Sequence, residues 1–156
     1  MTSRWEIAAV LSAAAIATST PGPASTAEPA SALVPYNIVG DAIPEPLSGR
    51  TGDAERGRKI VVGREAGNCL ACHKVPEPEP SQGDLGPDLS QVGGRLTPGQ
   101  IRLRVVDESR LNPATLMPPY YRVDGLYRVA RQYQGKPVLT ATEIEDVVAY
   151  LASLTR

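Results

Sequence analysis

At 156 residues the chain has the size of a single domain. Its formal net charge of −1 offers no basic surface to a polyanion such as nucleic acid and no strongly charged patch to a membrane surface. With 15 Pro, 14 Gly, no Phe and one Trp, it is loop-rich, has few helices and builds only a thin core from its own side chains.

The chain opens like an export signal. Arg4 precedes an apolar run from Ile7 to Ala17, too short to span a bilayer, and Pro21-Gly22-Pro23 breaks that run. Ala30-Ser31-Ala32 has the Ala-x-Ala form of a cleavage site, and Ser25-Thr26-Ala27 is a second candidate. Glu6 cancels much of the usual positive start, so a retained amphipathic anchor is the competing reading. Residues 1–32 are assigned to a signal peptide cut near 27–32. This places the mature protein in the periplasm, with no stable membrane insertion.

Residues 33–51 carry Pro35, Gly40, Pro44, Pro46 and Gly49 and read as an extended arm. Val34, Tyr36, Ile38, Val39, Ile43 and Leu47 make it too apolar for a floppy linker. They should bury something, either along the domain's own flank or on a partner. Residues 52–156 form the domain itself. Gly52 or Asp53 starts a helix that runs to about Val62, where Gly63 ends it. Gly57 inside this helix costs roughly 1 kcal/mol relative to Ala. A close helix crossing there explains the tolerance.

Cys69-Leu70-Ala71-Cys72-His73 follows at once. Cys-x-x-Cys-His reads as a c-type haem attachment site, with two thioether anchors and an axial imidazole on one short turn. A thioredoxin-type dithiol needs a βαβ pattern, and no strand-rich run surrounds the motif. Structural zinc needs four ligands and an iron–sulfur cluster four cysteines, whereas the chain has two Cys and one His. A buried haem also supplies the large apolar body that the thin core lacks. Haem attachment on the outer side of the inner membrane agrees with export.

Lys74 to Gly83 carries Pro76, Pro78 and Pro80 among acidic residues and reads as a solvated loop. In Gly86-Pro87-Asp88-Leu89, the Pro87 carbonyl could accept the second ring N–H of His73; an ordinary turn is the alternative. Thr97-Pro98-Gly99-Gln100 is a capping box with Pro at the first helical position. It starts a helix from Pro98 to about Ser109, with Ile101, Val105 and Val106 on its inner side. Asn112-Pro113 ends that element.

Leu116-Met117-Pro118-Pro119 is a proline-braced loop. Met117 is the only Met besides Met1, and His73 is the only His, so bis-His ligation within the chain is impossible. Met117 is the candidate sixth iron ligand; a Lys amine or an open position are the competitors, and a lone Met is otherwise core filler. A His/Met pair raises the potential and suits electron transfer. Tyr120, Tyr121, Tyr127 and Tyr133 crowd the region beyond, either on the haem edge or as core and surface aromatics. Thr140-x-x-Glu143 is a second capping box, with Leu139 and Ile144 as a hydrophobic staple. Ile144, Val147, Val148, Leu151 and Leu154 recur at helical spacing, and this last helix is expected to cross the first at Gly57, close to Tyr150.

From Asp53 to Leu154 this order of elements resembles a class I cytochrome c, an all-α fold around one covalently bound haem c. A narrower resemblance, to the SoxX family of monohaem cytochromes, runs from about Val34 to the C-terminus. It rests on Val34-Pro35-Tyr36, Val39-Gly40-Asp41-Ala42-Ile43-Pro44, Gly52-Asp53-Ala54 with Arg56-Gly57-Arg58, and Gly83-Asp84-Leu85-Gly86-Pro87-Asp88-Leu89. Arg102-Leu103-Arg104-Val105-Val106-Asp107, Asn112-Pro113, Met117-Pro118, Tyr120-Tyr121-Arg122-Val123-Asp124-Gly125 and Glu145 to Leu151 complete it.

The resemblance implies a heterodimer with a SoxA-like cytochrome in the periplasm. That complex oxidatively joins thiosulfate to a cysteine of the SoxYZ carrier (L-cysteine S-thiosulfotransferase chemistry) and passes electrons to a downstream cytochrome. By the motif match Cys69 and Cys72 attach the haem, and His73 and Met117 ligate its iron. The chain itself has no catalytic nucleophile to spare, since both thiols and the one His are taken. A free soluble periplasmic cytochrome c is the alternative function, and a haem sensor with a displaceable Met is a third. The apolar arm is the feature expected to separate a complex subunit from a free carrier.

Overall fold

The computed structural model describes residues 33–156, and the signal-peptide expectation for residues 1–32 lies outside them. Four α-helices follow in order: α1 (Ala54–Val62), α2 (Val92–Arg95), α3 (Pro98–Asp107) and α4 (Ala141–Ser153). Single 3-10 turns stand at Cys69–Ala71, Glu108–Arg110 and Arg131–Tyr133. Among the described residues there is no strand, only an isolated bridge between Val39 and Ala42. No helix among them is long and apolar enough to cross a membrane.

The helix ends are set locally. Asp53 caps α1 by accepting the Arg56 N–H at 2.8 Å. Gly63 closes it, but with φ −68° rather than in the left-handed form expected of a C-terminal glycine. Space explains Gly63, because a Cβ there would lie 2.7 Å from the Lys59 carbonyl oxygen. Both capping boxes form, Thr97 with Gln100 on α3 and Thr140 with Glu143 on α4.

Two interactions then fix the tertiary frame. The first is the crossing of α1 and α4. A Cβ on Gly57 would sit 1.8 Å from the Asp146 carbonyl oxygen and 2.9 Å from the Tyr150 Cβ, so the expected close approach is present. The Asp146 carboxylate receives the Asp53 N–H at 2.7 Å and the Arg56 Nε–H at 2.7 Å. Burial opposes its charge, yet the Arg56 guanidinium holds the carboxyl below the ordinary range.

The second interaction is a buried ion pair that joins α3, α4 and the arm. Arg102 and Glu145 are 4% and 1% exposed and pair bidentately, Nε–H to Oε1 and Nη2–H to Oε2, both at 2.8 Å. Arg102 Nη1 also donates to the Ile43 carbonyl at 2.6 Å, and Glu145 Oε1 accepts the Leu47 N–H at 2.8 Å. Ile43 and Leu47 sink into the core beside it. Tyr36 and Val34 pack on Tyr121, whose hydroxyl accepts the Val34 N–H at 2.8 Å. Ile38 and Val39 stay exposed. The arm therefore buries most of its apolar residues on its own domain.

Removing one partner of such a pair strands a buried charge, at a cost of about 3–5 kcal/mol. We expect Glu145→Ala to lose that much in urea unfolding and to speed hydrogen exchange at Leu47. The double change Arg102→Met with Glu145→Met should recover only part of the loss, because the Ile43 carbonyl and the Leu47 N–H then lack a partner; a single Glu145→Ala variant as stable as the parent would contradict the role given to the pair.

Candidate haem site

The turn after α1 carries the motif. Asn68, in the left-handed region at φ 49°, starts it, and the N–H groups of Cys72 and His73 both donate to the Cys69 carbonyl, at 3.1 and 2.9 Å. The two thiols and the His73 ring are thereby carried on one face of the turn, along one wall of a cleft of about 650 Å³. Val61, Val92, Ile101, Val105, Val147 and Leu151 give that cleft apolar walls. The cysteines form no disulfide. Burial lifts the Cys69 thiol to about 11, against a hydrogen bond with Tyr120 that lowers it.

Three close contacts shape the His73 side. The ring Nδ1 lies 2.7 Å from the Pro87 carbonyl oxygen, as read from the Gly-Pro turn. As the carbonyl can only accept, this contact needs the proton on Nδ1, which makes Nε2 the nitrogen available to a metal. A Cβ on Gly86 would stand 2.4 Å from the ring Cε1, so only glycine lets this turn pass so close to the imidazole. The Gly86 N–H donates to the Cys72 carbonyl at 2.7 Å, which locks turn to motif.

Met117 reaches the same cleft from the loop after α3. Its N–H donates to Thr115 Oγ1 at 3.1 Å. No lysine is among the cleft-lining residues. The loop is held by Tyr120, whose O–H donates to the Gly67 carbonyl at 2.7 Å, and by the Tyr120 and Tyr121 N–H groups on the carbonyls of Val105 and Val106. The tyrosines divide between the two readings. Tyr120 lines the cleft and Tyr121 is core, while Tyr127 is 86% exposed and Tyr133 reaches the Glu65 carbonyl.

Arg95, Arg104 and Glu108 also line the cleft, and the sequence reading gave none of them a site role. The signal was available for two: Arg104 and Glu108 share helical spacing with Ile101, Val105 and Asn112, which face the same space. An apolar slot with two thiols and an imidazole along one wall, a thioether at the far end of the chain's circuit and few charges fits a flat apolar macrocycle with an iron centre.

These features define a c-type cytochrome. The chain belongs to the cytochrome c family, whose model matches residues 54–155, and it carries covalently bound haem c. Within the family it is of the SoxX type. It is 34% identical to a chain in the crystal structure of SoxXA from P. pantotrophus, covering 78% of this chain and 95% of that one with a TM-score of 0.71. The c-type cytochrome SorU from Sinorhizobium meliloti is more distant, 22% identical over 65% of this chain and 90% of that one, with a TM-score of 0.43. No curated protein matches.

Gly86→Ala should force the His73 ring off the Pro87 carbonyl. Loss of such an orienting partner typically costs about 10–100-fold in metal-site affinity or activity. We expect the haem-to-protein ratio of the purified variant, by absorbance and haem stain, to fall several-fold; an unchanged ratio and spectrum would refute the tight fit.

Proposed function

We propose that the chain is the electron-accepting subunit of a SoxAX-type complex in the periplasm. A SoxA-like cytochrome is its stable partner. The complex joins thiosulfate oxidatively to a cysteine of a SoxYZ-type carrier, and electrons leave through a downstream cytochrome. The observation that carries this reading is the 34% identity over 95% of the SoxXA chain. Oxidative coupling of thiosulfate to a thiol releases two electrons, which a single one-electron centre passes on singly.

In this reading Cys69 and Cys72 would hold the haem through thioethers, and His73 and Met117 would ligate its iron. Haem c, when bound, supplies a one-electron iron couple. The chain's residues do the rest. The Pro87 carbonyl fixes the proton on Nδ1 and turns Nε2 toward the cleft. Tyr120 ties the Met117 loop to the stretch just before Cys69, which holds the two sides in register. The apolar walls of the cleft would suit the macrocycle, and a neutral thioether ligand from Met117 would favour the reduced state. No nucleophile and base of the Cys–His kind remains for bond-making chemistry, which falls to the partner. The alternative, a free electron carrier, gains from one observation: the arm packs mainly on its own domain and so does not by itself require a partner.

Purification of the tagged protein from its native periplasm should bring down a stoichiometric haem-bearing partner, with haem reduction that needs both thiosulfate and carrier. A lone monohaem protein reduced only by respiratory complexes would overturn the assignment. For the ligand, Met117→Ala should keep the haem attached yet lower its potential by a sizeable part of the ~0.8 V that axial ligands span. An unchanged potential in redox titration would remove Met117 from the iron.

A further inference from the structure

The cleft wall contains one carboxyl without a counterpart. Glu108 stands just after α3, one turn beyond Arg104, and lines the cleft. Its Oε2 is buried and has no hydrogen-bond partner among the described residues. The other charged or titratable groups on this space are few. His73, with the two cysteines that the haem takes up, comes from the turn after α1; Arg95 comes from α2, Arg104 from α3 and Tyr120 from the loop beyond Met117. The 112–118 loop brings no charged side chain, and α4 contributes only Val147 and Leu151. Asp107, next to Glu108 in sequence, is not part of this wall and is paired with Arg110 and Arg122.

Arg104 is the one cation a helical turn away, and its charge is shared. Its Nη1–H donates to the Gln100 carbonyl at 2.9 Å, and Nη2 lies 4.0 Å from Asp41 Oδ2. Burial lifts the Glu108 carboxyl above the ordinary carboxylate range, against the pull of Arg104.

We propose that Glu108 is a redox-linked proton site, which binds a proton from solvent when the haem in this cleft is reduced and releases it on oxidation. The step balances as one electron from an external donor onto the haem and one proton from water onto the Glu108 carboxylate, with both leaving on oxidation. Reduction removes one positive charge from a poorly solvated space, which weakens the hold on a nearby carboxylate and raises its proton affinity. By reciprocity, a protonated Glu108 makes reduction easier. The inference rests on the haem lying in this cleft and is independent of the sixth ligand.

The test is a redox titration of the haem-bearing protein across pH, alongside Glu108→Gln and Arg104→Gln. Glu108 has a lower pKa in the oxidised protein and a higher one in the reduced protein. Between those two values the reduced-to-oxidised ratio at fixed potential should fall as pH rises, by up to about tenfold per pH unit for one proton per electron. Glu108→Gln cannot titrate and should flatten that dependence. Arg104→Gln removes the cation that favours the charged form and should move the window to higher pH. The reduced-minus-oxidised infrared difference spectrum should gain a protonated-carboxyl band that Glu108→Gln lacks. A pH-independent parent overturns the proposal. So does the same slope in parent and Glu108→Gln, which would belong to the haem's own propionates. Should Glu108→Gln fail to fold, the Arg104→Gln shift and the infrared band of the parent decide. A parent protein without haem absorbance would sink the site itself, so the two failures are distinguishable.

Discussion

The rest of the structure depends on the absence of a side chain at residue 57. With no Cβ there, α1 lies against the backbone of α4 near Asp146, closer than any other residue would allow. Gly52, whose Cβ would stand 2.1 Å from the Glu145 carbonyl oxygen, extends the same contact to the start of α1. The crossing fixes how α1 lies in the domain, Gly63 ends the helix, and the Cys69–His73 turn follows from that end. The same crossing places Val147 and Leu151 of α4 as one wall of the cleft and Val61 of α1 as another. Close-packed interiors transmit small displacements, so a shift at this crossing reaches the haem turn directly.

The Arg102–Glu145 pair plays a different part. Two desolvated charges give little net stability, but a bidentate geometry accepts few alternative arrangements. Here it also satisfies the Ile43 carbonyl and the Leu47 N–H, two backbone groups of an arm with no regular structure to pair them. An irregular segment can thus be placed as definitely as a helix. That is why the arm's apolar residues serve the domain's own core and lose their value as a sign of a partner, apart from the exposed Ile38 and Val39.

What could be read from the sequence was local. Capping boxes, the Pro98 start and the 3.6-residue stripe of α4 involve residues within one or two turns, and each formed as read. The Gly-Pro turn was only half legible: the sequence allowed a Pro87 carbonyl on His73 or an ordinary turn, and the structure shows the first. Helix α2 escaped because four residues containing Gly93 and Gly94 carry no helical signal. Their meaning is tertiary: the Gly93 N–H meets the Leu154 carbonyl at 2.9 Å, and a Cβ there would collide with Ala152. Arg102, Glu145 and Glu108 escaped for a related reason. A charged residue reads as solvent-facing by default, and only the fold reveals a buried one.

The order of these elements along the chain has a consequence for maturation. The thiols belong to the early part of the domain, whereas Val147 and Leu151 belong to its last helix. The cleft therefore closes only once the last helix has docked on the first. Until then α1 has nothing to cross, the arm has no Glu145 to hold it, and the thiols stand on an open turn. The anchoring residues are therefore reachable before the wall that encloses the macrocycle is in place.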